Sequence, residues 1–286
     1  MDIQNLDGLI YLQQISNKSI DLVLTDPPYI TSRKTGMDTH AKQVKKLKAD
    51  GKKAKTESQW KKYKTTEEWN EWMEKKKIPI DKRESKLEEI KKNYLEWGSI
   101  YGKKYAVTTD YGEWDSEFTM ELLEKYIEEY YRVLKDGGTM IIFFDIWKIT
   151  PLKDLMEKYK FKQIRFIEWI KTNPQPLNSK TNYLTNCREI ALLGVKRGKP
   201  TFHSKYDNAI YEFPLQSGKN RFHPTQKSLP LFEALIEKHS NEGDTILDTF
   251  LGSGTTALAA KNKGRQFKGT EISPEFYQKL MELLDN

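Results

Sequence analysis

Apolar positions along this chain fall into short runs separated by amphipathic stretches. Residues 20–25, IDLVLT, form an apolar, β-branched run closed by Asp26-Pro27-Pro28. Such a run predicts a buried strand, and proline, which cannot donate to a sheet ladder, stops it. Residues 117–134 carry apolar side chains at helical spacing, and Asp136-Gly137-Gly138 predicts the helix end. TMIIFF (139–144), QIRFIEWI (163–170), REIALLGV (188–195), TILDTF (245–250) and QFKGTEI (266–272) read as further strands. Helices are expected near 151–159, 228–239, 255–263 and 274–284. Residues 196–222, polar and broken by Gly and Pro, read as a loop region. Short apolar strands alternating with helices predict an α/β fold, with a mostly parallel sheet covered on both faces.

One segment breaks this rhythm. Residues 36–105 read as helical, rich in Lys, Glu and Trp, with breaks near Gly51, Pro79 and Gly98, and without a repeat period. The formal charge of the chain is +7, and from Arg33 to Lys104 there are 22 basic against 12 acidic residues. The remainder holds 26 basic and 29 acidic residues, so a slightly acidic body carries a basic insertion. Four of the seven tryptophans, Trp60, Trp69, Trp72 and Trp97, lie in it. A charge run of this kind is most simply a solvated helical surface. It also suits a polyanion, because Lys and Arg neutralise phosphates and release counterions.

Composition excludes several classes. With 286 residues, 37% of them hydrophobic, and 34 aromatic side chains spread along the chain, it holds enough apolar material for a core and is not wholly disordered. No stretch approaches the ~20 apolar residues of a spanning helix. The start, MDIQNLDGLIYLQQ, lacks a basic stretch followed by an apolar one, so no secretory signal is expected. The single cysteine, Cys187, excludes a disulfide framework and a multi-Cys zinc site, and the expected compartment is a reducing cytoplasm. Four scattered histidines show no metal-ligand spacing.

Two motifs carry chemistry. Asp248-Thr249-Phe250-Leu251-Gly252-Ser253-Gly254-Thr255-Thr256 joins a strand to a helix, and Glu271 lies 19 residues beyond Gly252 at the end of the next strand. Glycines permit a tight turn and close ligand approach, and an acid at that distance suits ribose hydroxyls. The pattern is neither G-x-G-x-x-G nor a Gly-Lys-Ser phosphate loop. A nucleoside without a pyrophosphate fits better than NAD or ATP, and S-adenosylmethionine is the candidate. The second motif, Asp26-Pro27-Pro28-Tyr29, belongs at the carboxyl end of a buried strand, where open α/β sheets bind ligands. An exocyclic base amine is a poor nucleophile because its lone pair is delocalised into the ring. Two acceptors aimed at its N–H groups localise that pair. The Asp26 carboxylate and the Pro27 carbonyl, fixed by two prolines, can be those acceptors, while Tyr29 offers a face for an extruded base.

With Asp26-Pro27-Pro28-Tyr29 first, His223-Pro224-Thr225-Gln226-Lys227 next and Asp248 to Thr256 last, the chain resembles the amino-group DNA methyltransferases of the beta motif order. The resemblance covers residues 1–32 and about 107–286. It implies a Rossmann-like, circularly permuted methyltransferase fold and an S-adenosylmethionine-dependent enzyme of the restriction-modification type. It implies a catalytic motif of Asp26, Pro27, Pro28 and Tyr29. Cofactor contacts are implied at Asp248, Phe250, Gly252, Ser253 and Gly254, at Glu271 for the ribose, and at Asp7 near the adenine. Thr225, Gln226 and Lys227 match the motif that reaches the methionine carboxylate. Asn173-Pro174-Gln175-Pro176-Leu177-Asn178 resembles a loop lining the target-base pocket, and Gly112-Glu113-Trp114-Asp115 a segment that usually follows the catalytic motif closely. Departures are Ser228 in place of a proline, Leu6 where a glycine is common, and the basic insertion, which moves Gly112 some 83 positions past Tyr29.

The expected organisation is a catalytic domain of residues 1–32 and 106–286, a DNA-contacting insertion at 33–105, and a target-recognition loop at 196–222. The expected reaction is direct methyl transfer to the N6-amine of adenine in duplex DNA after base flipping, without a metal. N4-cytosine methylation is the alternative, although the tetrapeptide there more often begins with Ser. An RNA or protein-amide methyltransferase and a catalytically silent nucleic-acid-binding module stand further off. Cys187, flanked by Asn186 and Arg188 with no base placed beside it, reads as an indifferent thiol. A cognate restriction endonuclease and a homodimer are the partners the resemblance suggests besides DNA.

Overall fold

A computed structural model describes residues 1–30, 55–97, 100, 118–174, 186–216 and 226–285. The chain divides into two units, Met1–Ile30 with Glu113–Asn286, and Thr31–Gly112.

Among the described residues, the first unit is built on one eight-stranded sheet. Its strands are β1 (Asp2–Gln4), β2 (Ile20–Thr25), β3 (Leu134–Phe144), β4 (Phe161–Lys171), β5 (Arg188–Lys196), β6 (Ile210–Phe213), β7 (Thr245–Asp248) and β8 (Gln266–Thr270). Their spatial order is β1-β8-β7-β2-β3-β5-β4-β6. All pairs are parallel except those of β5, which runs antiparallel to both β3 and β4.

Helices cover both faces. Along a strand, successive side chains point to opposite sides, so each buried run feeds two cores. Val23, Met140, Ile142 and Phe144 pack with α1 (Gly8–Gln13), α5 (Met120–Val133) and α6 (Ile149–Lys158). Leu22, Leu24, Ile141 and Phe143 pack with α7 (Leu229–His239), α8 (Thr255–Asn262) and α9 (Pro274–Asp285). The intervening labels α2 (Glu57–Lys61), α3 (Thr66–Lys75) and α4 (Arg83–Trp97) belong to the second unit.

The second unit has its own small core of Trp69, Met73 and Ile90, packed by Trp60, Trp72, Ile78, Leu87 and Ile100. Thr56 and Thr65 each close a capping box, with Gln59 and Glu68 respectively, which satisfies two orphan donors at the start of α2 and α3. Pro79 marks the expected break. The stretch 55–97 holds 12 basic and 10 acidic residues, so most of the positive excess of the insertion lies at 33–54 and 98–104. Those stretches lie outside the described residues.

The strands and helices expected from periodicity recur within a few residues of their expected bounds. Three elements differ. β1 and α1 were not anticipated, being three and six residues long. The stretch expected as a loop at 196–222 contains β6, a four-residue edge strand parallel to β4. Such an edge strand needs hydrogen-bonding partners on one side only, so it carries little apolar signal. The helix at 117–134 passes almost directly into β3, with Gly137 in the left-handed region at φ +85°.

Candidate active site

One edge of the sheet collects the motifs. β1, β8, β7 and β2 are consecutive parallel neighbours, so their carboxyl ends lie side by side. Those ends carry Asp7, Glu271, the glycine turn and Asp26-Pro27-Pro28-Tyr29. Leu22 pairs with Ile246 and Val23 with Leu247, which brings the tetrapeptide beside a turn more than 200 residues away in the chain. β4 is parallel to this group and β5 antiparallel, so the end of β4 and the start of β5 share the edge.

Asp248 fastens the two central strands. Its Oδ1 accepts from Thr25 Oγ1 at 2.6 Å and from the Phe250 N–H at 2.9 Å, and its Oδ2 accepts from Thr256 Oγ1 at 2.6 Å. Burial pushes this carboxyl above its ordinary pKa, while the three donors oppose the shift. Glu271 shapes the turn in a similar way. Its Oε2 accepts the Gly252 N–H at 2.7 Å and its Oε1 the Ser273 N–H at 2.8 Å. A carboxylate has about four lone-pair directions, so acceptor capacity remains on Glu271 beside these bonds. Asp7 caps α1, accepting from the Leu9 and Ile10 N–H groups at 2.9 and 3.1 Å. The neighbouring Asn5 amide donates to the Glu271 carbonyl at 2.7 Å, which holds the Asp7 and Glu271 segments together.

The two glycines differ in purpose. Both lie in the left-handed region, Gly252 at φ +50° and Gly254 at φ +74°. A Cβ on Gly254 would stand 1.9 Å from Leu280 Cδ1, so there the glycine serves packing against α9. Gly252 and Ser253, with Phe250, Leu251, Thr255 and Thr256, line an open cleft. Asp26, Lys227, Phe232 and Asp248 complete its wall.

Asp26 stands at the head of a partly buried ionic chain. Lys227 Nζ lies 2.9 Å from Asp26 Oδ2 and 2.5 Å from Glu189 Oε2. Lys171 Nζ lies 2.6 Å from Glu189 Oε1. Lys227 also donates to Tyr29 Oη at 3.4 Å and sits 5.4 Å from the Tyr29 ring centroid and 5.5 Å from that of Phe143. Tyr29 packs edge-on against Phe144 and donates to Glu189 Oε2 at 3.4 Å. Asp26 Oδ1 is buried and has no hydrogen-bond partner among the described residues. Burial raises the Asp26 carboxyl to about 6, with Lys227 pulling it down and Glu189 and Asp248 pushing it up. Burial would raise Glu189 too, but Lys227 and Lys171 outweigh it and hold that carboxyl at about 2. The Lys227 ammonium, despite burial, is raised well above its ordinary value by Asp26 and Glu189.

Asp7, Asp26 to Tyr29, Asp248 to Gly254 and Glu271, all expected from the sequence, lie at one edge of the sheet. Lys227, expected at the methionine carboxylate, makes ion pairs with Asp26 and Glu189. Gln226 precedes it. Thr225 lies outside the described residues, as do His223 and Pro224, Gln175 to Asn178, and Gly112 to Asp115. Glu189 and Lys171 were not anticipated. A lone carboxylate inside the apolar strand REIALLGV was the available signal, but its partners come from other strands. Cys187 is half-buried, and its carbonyl accepts the Lys171 N–H at 2.7 Å. Among the described residues no group of His, Cys, Asp and Glu could hold a metal ion, and no helix is long and apolar enough to cross a membrane.

Comparison with known proteins places the chain in a family. The DNA methylase family profile matches residues 94–282. The Type II methyltransferase M2.DpnII of Streptococcus pneumoniae is 35% identical over 192 residues, spanning 60% of this chain and 70% of that protein. The crystal structure of the M1.HpyAVI–SAM complex superposes with a TM-score of 0.59 at 25% identity, covering 100% of this chain and 99% of that one. The cytosine-N4-specific PvuII DNA methyltransferase shares the fold, with a TM-score of 0.62 at 14% identity over 98% of this chain and 84% of that one. By the extent of the profile match and the likeness to M2.DpnII, the chain belongs to the DNA methylase family.

Proposed function

We propose that this chain transfers a methyl group from S-adenosylmethionine to the N6-amine of adenine in duplex DNA, at a specific site and by base flipping. The observation that carries this reading is Asp26 Oδ1, a buried carboxylate oxygen without a partner among the described residues, placed beside the glycine-turn cleft. An unpaired buried acceptor is costly, and a donor from a ligand relieves it. An exocyclic amine is such a donor. Asp26 and the Pro27 carbonyl would each take one N–H and localise the nitrogen lone pair. Tyr29, half-buried, would offer its face to the extruded base.

The cleft is lined by several of the residues this reading assigns to the cofactor. Phe250, Gly252 and Ser253 would line the ligand, Asp248 and Gly254 would hold the turn, and Glu271 would accept the ribose hydroxyls. Asp7 stands at the adjoining strand end for the adenine. Thr225, Gln226 and Lys227 would lie toward the methionine carboxylate. The sulfonium supplies an electrophilic methyl group. The amine forms the new N–C bond as the S–C bond breaks, and the nitrogen then releases a proton. The protein's contribution is orientation and charge placement.

The same reading makes 33–105 a DNA-contacting insertion and 196–222 a target-recognition segment. Lysines of the insertion would hold phosphates, which position the duplex without reading its sequence. It extends to a cognate restriction endonuclease, a homodimer and a cytoplasmic setting.

The test is incubation of unmodified duplex DNA with labelled S-adenosylmethionine, comparing the wild type with Asp26→Ala. The expected result is label in DNA with the wild type, none with the variant, and cofactor binding retained by both in calorimetry. Loss of cofactor binding in Asp26→Ala would contradict the role given to Asp26.

A further inference from the structure

We infer that Glu189 is a positioning residue of the methyl-transfer site, holding the Lys227 ammonium on the Oδ2 side of Asp26 so that Oδ1 stays open for the target amine. This rests on the reading of Asp26 as the amine acceptor. A buried ammonium has three N–H donors to satisfy. Here they find Asp26 Oδ2, Glu189 Oε2 and Tyr29 Oη. Neutralise Glu189, and among the described residues Asp26 is the one carboxylate left to hold the Lys227 ammonium, which is then drawn toward Asp26 and crowds Oδ1.

Glu189 is itself held in place. Lys171 binds its other oxygen at 2.6 Å, and the Tyr29 hydroxyl donates to the same oxygen as Lys227. Two carboxylates and two ammoniums make the chain neutral, which lowers the penalty of burying it. Two strands supply this second pair, since Glu189 pairs with Trp169 of β4 and Lys171 ends that strand.

The groups facing Asp26 are Lys227 from the segment before α7, Glu189 from β5, Asp248 from β7 and Tyr29 from its own loop. Of these, Glu189 and Asp248 raise the Asp26 carboxyl and Lys227 lowers it. Glu189→Gln keeps the shape and removes one raising charge. The Lys227 charge then acts on Asp26 undivided, so the Asp26 titration moves down, by about one pH unit for a neighbouring charge.

The experiment compares wild type and Glu189→Gln by S-adenosylmethionine calorimetry, by kcat and KM on duplex DNA across pH, and by ¹³C-carboxyl NMR titration of Asp26 in the free protein. Expected are a cofactor Kd unchanged within about twofold, a kcat reduced about 100-fold as for a misplaced reacting group, and a lower Asp26 midpoint. The acidic limb of kcat should move down with it. Unchanged kcat with an unchanged midpoint overturns the inference. So does loss of cofactor binding together with transfer, which would assign Glu189 to folding. Should the wild type transfer no methyl group to DNA, the proposed reaction fails, and the NMR titration still decides. A lowered midpoint supports the grip of Glu189 on Asp26, and an unmoved one removes it.

Discussion

Asp26 must be ionised to accept from an amine, and its surroundings work against ionisation. Burial, with Glu189 and Asp248 nearby, lifts its carboxyl to about 6 despite the Lys227 contact. The sign follows directly. Below that pH the carboxyl holds a proton, can no longer offer both oxygens as acceptors, and transfer falls; above it the rate reaches a plateau. The expected kcat profile has an acidic limb with unit slope and a midpoint near 6. A midpoint near an ordinary aspartate value, in single-turnover assays across pH, would show that this burial does not persist in the working enzyme. The residues of the site were legible to different degrees. Asp26 to Tyr29 and Asp248 to Gly254 stood out because each motif is contiguous in the chain. Glu189 and Lys171 did not, because their role exists only once β5 folds back antiparallel between β3 and β4.

At the scale of elements, the glycine turn and its anchors decide whether the site exists. Gly254 holds a left-handed conformation with Leu280 closing over it. Gly254→Ala should therefore cost about 2–4 kcal/mol, from backbone strain and overpacking together, read as a lower denaturant midpoint at unchanged slope. Asp248→Ala should be about as severe, roughly 2–4 kcal/mol, since it leaves the buried hydroxyls of Thr25 and Thr256 and the Phe250 N–H without their acceptor. Stability close to wild type in urea titration of either variant would show that the turn relaxes at little cost. The long elements were readable because burial wrote them plainly. β2 is almost wholly buried, and α5 shows a clear apolar stripe. β1, α1 and β6 were hidden because three to six residues hold no more than two turns or periods of pattern.

At the scale of the whole molecule, two units divide the work unevenly in charge. The sheet-bearing unit holds the candidate active site, and the inserted unit has a tryptophan-centred core of its own. Its described stretch, 55–97, is nearly balanced in sign, while Lys42, Lys45, Lys46 and Lys48 belong to the more basic stretch preceding it in the sequence. If these lysines contact phosphates, replacing all four by Gln should weaken binding to every duplex alike. It should also reduce the slope of log K against log salt by about 3 to 4. Cofactor affinity should be unaffected. An unchanged salt slope in fluorescence anisotropy would remove these residues from the DNA interface.

The central claim is the reaction itself, and nucleoside mass spectrometry tests it most directly. Unmodified mixed-sequence duplex DNA would be incubated with the protein and S-adenosylmethionine, digested to nucleosides and examined for both methylated amines. The account predicts N6-methyladenine. N4-methylcytosine in its place would contradict the assigned base while leaving the mechanism, and no methylated nucleoside from a protein that binds the cofactor would contradict the claim outright.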